Sequence, residues 1–67
     1  MELSARNQLR GKVRQVKTDG LMAEVAVDVG GQEIVSVITR ASAEALKLEA
    51  GVDVTVVIKS TEVMLAR

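Results

Sequence analysis

The sequence predicts an all-β fold: a five-stranded OB-like Greek-key barrel with one short helix between strands 3 and 4. Three observations point there. Apolar residues alternate with polar ones over several short runs, the period of a strand with one buried face. Turn signals (Thr18-Asp19-Gly20 and Gly30-Gly31) separate the first three runs. One stretch, residues 39–48, breaks the alternation with Ala41, Ala43, Ala45, Leu46 and Leu48, a composition that favours helix. An SH3-like barrel is the near alternative.

In chain order, Leu9, Gly11 and Val13 alternate with Arg10, Lys12 and Arg14, giving a strand with one apolar and one basic face. The apolar phase slips between Val13 and Val16, which predicts a bulge or the strand's end. The second strand runs Leu21, Ala23, Val25, Val27 and Val29 on one face against Met22, Glu24, Ala26 and Asp28 on the other. Gly30-Gly31 tolerates positive φ at both positions and reads as a hairpin turn. The returning strand, residues 32–38, is apolar on both faces at Ile34, Val35, Val37 and Ile38, so its second face needs cover from another subunit. Thr39 is placed to cap a helix over residues 40–48, and Glu49-Ala50-Gly51 closes it. Val52, Val54, Val56 and Ile58 form the fourth strand, and Val63-Met64-Leu65 a short fifth.

With 67 residues, the chain reads as one domain, 1–67. A chain of about 60 residues buries only ~60% of its unfolded surface, so small domains need a staple. Cys is absent, which removes disulfides and thiolate metal sites. His is absent as well, and with it the commonest metal ligand and general base. Oligomerisation is the staple that remains, and a homo-oligomer is expected. Net charge is zero, but Arg6, Arg10, Lys12, Arg14 and Lys17 crowd the first 17 residues. Nucleic acid is the natural partner to consider. The stacking aromatics of single-strand binders are absent, however, and charge on a strand edge also serves to block unwanted pairing. The chain opens at Met1-Glu2 without a basic-then-apolar leader, and no apolar run approaches membrane-spanning length. A cytoplasmic protein with no membrane partner is expected.

No catalytic constellation is present: the acidic residues are scattered over strand faces and turns, and Gly30-Gly31 precedes a strand rather than a helix. The chain is read as a non-enzyme. Two donor-rich stretches stand out instead. Ser4-Ala5-Arg6-Asn7-Gln8 places hydroxyl, guanidinium and amide donors in five residues, with no carboxylate until Asp19. Ile58-Lys59-Ser60-Thr61 is donor-rich again at the far end. Thr39 and Ser42 add hydroxyls at a helix start, where free N–H groups suit an anion. Each of these has an ordinary alternative: solvated strand ends for the terminal stretches, an N-cap for Thr39, a first-turn polar residue for Ser42.

The stretch Ser4 to Val13 (SARNQLRGKV) closely resembles the opening of the molbindins, the small molybdate-binding Mop proteins built from a single TOBE-type domain. Ile58-Lys59-Ser60-Thr61-Glu62-Val63-Met64 resembles their closing motif, and Ile38-Thr39 with the short helix matches their middle segment. The resemblance spans essentially the whole chain. It implies an OB-like barrel assembled as a hexamer, a trimer of dimers, with molybdate or tungstate bound between subunits and no organic cofactor. It assigns Ser4, Ala5 (through its backbone), Arg6, Lys59 and Ser60 to the oxyanion site, with Thr39 and, more loosely, Ser42 from a neighbouring chain. No metal is ligated directly, since molybdenum enters only as its oxyanion. Arg40 departs from the apolar or small residue expected after Thr39. The implied role is intracellular molybdenum storage or homeostasis. The physical logic agrees: a buried tetrahedral dianion without protons needs many donors and no carboxylate. Glu62 lies next to the closing motif, and strand alternation would turn it away from Thr61. A nucleic-acid-binding OB module and a purely structural oligomerisation domain are the rival classes.

Overall fold

The chain, as a computed structural model, is described over residues 4–67; Met1 and Glu2, where the leaderless start was expected, lie outside the described residues. Its elements are β1 (Asn7–Asp19), β2 (Met22–Val29), β3 (Gln32–Thr39), α1 (Arg40–Ala45) and β4 (Asp53–Ile58), followed by a single 3-10 turn (Ser60–Glu62). The strands form one antiparallel sheet in the order β3-β2-β1-β4.

Strand β1 organises the sheet because it is long enough to serve two partners. Its first half pairs with β4, from Asn7↔Ile58 to Lys12↔Asp53. Its second half pairs with β2, from Lys12↔Asp28 to Asp19↔Met22. The phase slip read between Val13 and Val16 is a bulge: the register shifts between Val13 and Gln15, leaving Arg14 without an opposite residue. The loop before β4 docks there, with Val13 N–H donating to Val52 C=O at 2.9 Å and Gly51 N–H donating to Val13 C=O at 2.8 Å. One step earlier, β1 crosses β2 so closely at Gly11 that no side chain fits: a Cβ there would lie 2.7 Å from the Asp28 carbonyl oxygen. The Gly30-Gly31 hairpin forms as expected, with φ of 58° and 88°, and Gly31 N–H donates to Asp28 Oδ1 at 2.9 Å.

The core lies on one face of this sheet. Val13, Val25 and Val27 are buried at its centre, and Val16, Val29, Ile38, Leu48, Val52, Val54 and Val56 pack around them. Ala43 brings α1 onto the same core. The opposite face of β2 and β3 leaves Met22, Val35 and Val37 exposed at 43, 51 and 64%. The double-faced apolar character of β3 is therefore real, and its second face has no cover among the described residues.

Two expectations are corrected. The helix ends at Ala45, not Leu48. Lys47 adopts φ 54°, Lys47 N–H donates to Glu44 C=O at 3.0 Å, and Leu48 N–H donates to Ala43 C=O at 3.1 Å. That is a Schellman termination, usually signalled by glycine at the left-handed position. With lysine there, the stop was invisible in the sequence. The second correction concerns residues 63–65. They form no strand, so the described residues make four strands in an open sheet rather than a five-stranded barrel. The chain turns first, through Glu62 N–H donating to Lys59 C=O at 2.9 Å. Val63, Met64 and Leu65 follow with 45, 92 and 94% exposure, and β3 and β4 remain as free edges.

Candidate functional site

The two donor-rich stretches lie some fifty residues apart in sequence and meet in space. The cause is the β1–β4 ladder: pairing Asn7 with Ile58 brings the residues before β1 against those after β4. There Ser4, Arg6, Lys59, Ser60 and Thr61 line one cleft of about 450 Å³. All five are exposed, so the cleft opens to solvent.

Ala5 sits between Ser4 and Arg6 with its side chain buried, 8% exposed, and anchors the stretch to the body of the protein. Two of the donors counted in the sequence are directed elsewhere. Asn7 Nδ2 donates to the Ile58 carbonyl at 3.3 Å, and Gln8 Nε2 donates to the Ala5 carbonyl at 3.3 Å. Asn7 thereby ties the two ends of the chain together, and Gln8 braces its own N-terminal stretch; neither lines the cleft. Glu62 does not line the cleft either. It stands on a 3-10 turn rather than a strand, so the alternation expected to turn it away does not operate.

The charge pattern singles this cleft out. Four other surface clefts each include a carboxylate: Asp53 beside Arg10, Glu44 and Glu49 beside Lys47, Glu24 and Glu33 beside Lys17, and Asp19 with Glu24. Among the described residues, the cleft of Ser4, Arg6, Lys59, Ser60 and Thr61 has a guanidinium, an ammonium and three hydroxyls and no acid. All of these groups can donate to a polyanion, and charge-assisted bonds to such donors are the strong kind.

Three comparisons with known proteins agree on the family. The TOBE domain family matches residues 3–65. Molybdenum-pterin-binding protein 1 of Clostridium pasteurianum is 47% identical over 66 residues, covering 97% of both chains. The chain belongs to the molbindin family of TOBE-domain proteins. A solved molybdate binding protein from Sporomusa ovata superposes on this molbindin chain with a TM-score of 0.95, at 34% identity and complete coverage of both. The cytoplasmic molybdate-binding protein ModG, solved with molybdate bound, gives a TM-score of 0.86 at 39% identity, although this chain spans only 43% of its length.

Thr39 and Ser42 are not brought to the cleft. Thr39 pairs with Met22, which pairs with Asp19, so it lies at the opposite end of β1 from Asn7. Arg40 N–H donates to Leu21 C=O at 2.8 Å and fixes α1 against the β1–β2 turn. Thr39 caps the helix: its Oγ1 accepts from Ser42 N–H at 3.1 Å and donates to Ser42 Oγ at 2.7 Å. Within one chain Thr39 therefore does what an N-cap does. The unexpected Arg40 is held by Glu44, Nε to Oε1 at 3.3 Å, one helical turn on. Thr61 was legible as part of the closing motif but was not singled out; its place in the cleft follows from the 3-10 turn, which no sequence signal marked.

Two of the basic side chains of β1 are paired with acids. Lys12 Nζ lies 3.7 Å from Asp53 and Arg14 Nη1 lies 3.6 Å from Glu33. Such exposed pairs add little stability, but they interrupt the run of positive charge along β1 at Lys12 and Arg14. Among the described residues no helix is long and apolar enough to cross a membrane.

Proposed function

We propose that this chain binds molybdate, with tungstate as an equivalent ligand, at sites shared between subunits of a homo-oligomer, and that it serves intracellular molybdenum storage and homeostasis. The observation that carries this is the cleft of Ser4, Arg6, Lys59, Ser60 and Thr61, which holds no carboxylate among the described residues. Relatives that match over nearly their whole length carry molybdenum or molybdate binding in their names, which supports the choice of anion. The role is binding and not catalysis, the oxyanion is the ligand without an organic cofactor, and the cytoplasm is the compartment.

The site is completed by a second chain. A cleft of about 450 Å³, open to water, is far larger than one tetrahedral oxyanion and encloses nothing by itself. Ser4, Arg6, the Ala5 backbone, Lys59 and Ser60 form one wall. Thr39 and Ser42, at the far end of their own sheet, form the other wall from a neighbouring copy. The exposed apolar residues Met22, Val35 and Val37 supply area for the contact. The assembly is a hexamer, a trimer of dimers.

Equilibrium dialysis of the purified protein against molybdate, with metal analysis of the retained fraction, tests the ligand. Light scattering on the same sample tests the assembly. Retained molybdenum and a mass several times that of one chain are expected. A stable monomer at micromolar concentration refutes the shared site. Salt-sensitive retention of single-stranded DNA without molybdenum uptake replaces this reading with the nucleic-acid one.

A further inference from the structure

Lys59, Ser60 and Thr61 are consecutive in sequence, and all three line the cleft. An extended strand does not allow this. Successive side chains on a strand point to opposite faces, so Ser60 would share a face with Glu62 and lie opposite Thr61. The 3-10 turn at Ser60–Glu62 replaces that alternation. At three residues per turn, successive side chains stand about 120° apart. Two neighbours then face one side while the third points away. Here the two are Ser60 and Thr61, and the third is Glu62, which does not line the cleft. The turn sorts two hydroxyls toward the cleft and one carboxylate out of it.

The hydroxyl of Thr61 is also uncommitted. Thr39 spends its own on the helix cap, through Ser42 N–H and Ser42 Oγ. Thr61 Oγ1 has no hydrogen-bond partner among the described residues. Threonine is β-branched and stiff at χ1, so this hydroxyl is offered with little rotamer freedom left to lose. We propose that Thr61 is a further oxyanion-contacting residue, donating its hydroxyl to the bound tetrahedral anion beside Lys59 and Ser60. Its contribution differs in kind from that of Lys59. An ammonium acts as a point charge, whereas a hydroxyl presents a single O–H. Thr61 therefore fixes where the anion sits without adding charge to the cleft. The inference deepens the oxyanion reading above and rests on it.

Equilibrium dialysis against molybdate compares the parent chain with two variants. Thr61→Val keeps the shape and removes the hydroxyl; Thr61→Ser keeps the hydroxyl and removes the methyl. Thr61→Val is expected to bind about tenfold or more weaker, the loss of one hydrogen bond to a charged group, and Thr61→Ser to stay within about threefold of the parent. Parent-like affinity in Thr61→Val overturns the proposal. An equal loss in both variants also overturns it, because the methyl and not the hydroxyl would then matter. Glu62→Gln tests the sorting by the turn: affinity within about threefold of the parent is expected for a charge held in solvent, and a larger gain places the carboxylate against the anion and overturns the proposal. Circular dichroism and light scattering check that each variant keeps the parent's fold and assembly. Should Thr61→Val fail that check, methyl NMR on the native chain decides: the Thr61 resonance is expected to shift on saturation with molybdate, and an unmoved resonance overturns the contact. If the parent chain retains no molybdenum, the oxyanion assignment falls and the role of Thr61 with it. If the parent retains it and Thr61→Val retains it equally, only the role of Thr61 falls.

Discussion

Replacing Gly11 with alanine tests the crossing of β1 over β2 most directly. Gly11 has no left-handed backbone to protect; what excludes a side chain there is space. A Cβ would lie 2.7 Å from the Asp28 carbonyl oxygen, 2.7 Å from Val27 Cγ1 and 2.9 Å from Val29 Cγ2. Val29 is half-buried and has room to turn. Val27 is 3% exposed at the centre of the core, and the Asp28 oxygen is main chain in a central strand. Two of the three contacts are therefore relieved only by moving backbone or core. Overpacking of this kind costs about 1–3 kcal/mol. Alanine returns about 0.4–1 kcal/mol by restricting the unfolded chain. The net loss is about 1–2 kcal/mol, which for a domain of this size lowers Tm by about 5–15 °C. Thermal unfolding followed by far-UV circular dichroism, at matched protein concentration because assembly shifts Tm, measures it. A Tm within a degree of the parent refutes the close crossing.

The other predictions concern the helix stop and the cleft. Lys47→Gly relieves a non-glycine residue at φ 54° and is expected to raise stability by up to about 1 kcal/mol; a lower denaturant midpoint would show that Lys47 makes a contact worth more than its strain. Arg6→Ala and Lys59→Ala are each expected to weaken molybdate binding by about 2–5 kcal/mol, while the oligomer survives, because each removes one partner of a charge-assisted bond. Arg6→Lys is expected to be impaired too, since an ammonium does not reproduce a planar fork of donors; parent-like affinity in all three returns these residues to solvated surface roles. In competition dialysis with labelled molybdate, tungstate is expected to displace the label about equally, sulfate less and phosphate least. Hydrogen phosphate brings a proton to a cleft whose described residues offer no carboxylate, so a hydroxyl oxygen must turn from donating to the anion to accept it, and left unpartnered such a polar group costs about 1–3 kcal/mol; phosphate displacing the label as well as tungstate does would make the cleft a generic anion patch.

Local patterning carried much of this protein in its sequence. Period-2 alternation marked β1, β2 and β4, because a side-chain repeat of two has only one way to bury a face, while β3 was legible from its β-branched residues and the hairpin turn before it. The Gly30-Gly31 hairpin and the slip in β1 were legible because a turn needing positive φ and a phase change both leave their marks on residue type. The two donor-rich stretches were legible by composition and by their resemblance to the molbindins. What local patterning did not reveal was how those stretches meet. The resemblance placed Lys59 with Ser4 and Arg6 and drew Thr39 from a neighbouring chain; within one chain the β1–β4 ladder brings Lys59 to Ser4 and Arg6 and leaves Thr39 at the other end of the sheet.

The tertiary structure alone decided the rest, for one physical reason: spacing specifies a residue's face but not its neighbours across the sheet. Asn7 and Gln8 counted toward the donor-rich opening stretch, but β1–β4 pairing gives Asn7 the Ile58 carbonyl and Gln8 turns back to the Ala5 carbonyl. Lys47 ended the helix with a backbone conformation that its side chain does not advertise. Residues 63–65 read as a fifth strand because they are apolar and β-prone, but a strand exists only where an edge lies beside it, and in this chain the turn at Ser60–Glu62 carries them away from both free edges. Sequence determined which residues want burial and which stretches are rich in donors; the ladder of β1 decided which of those stretches line one cleft.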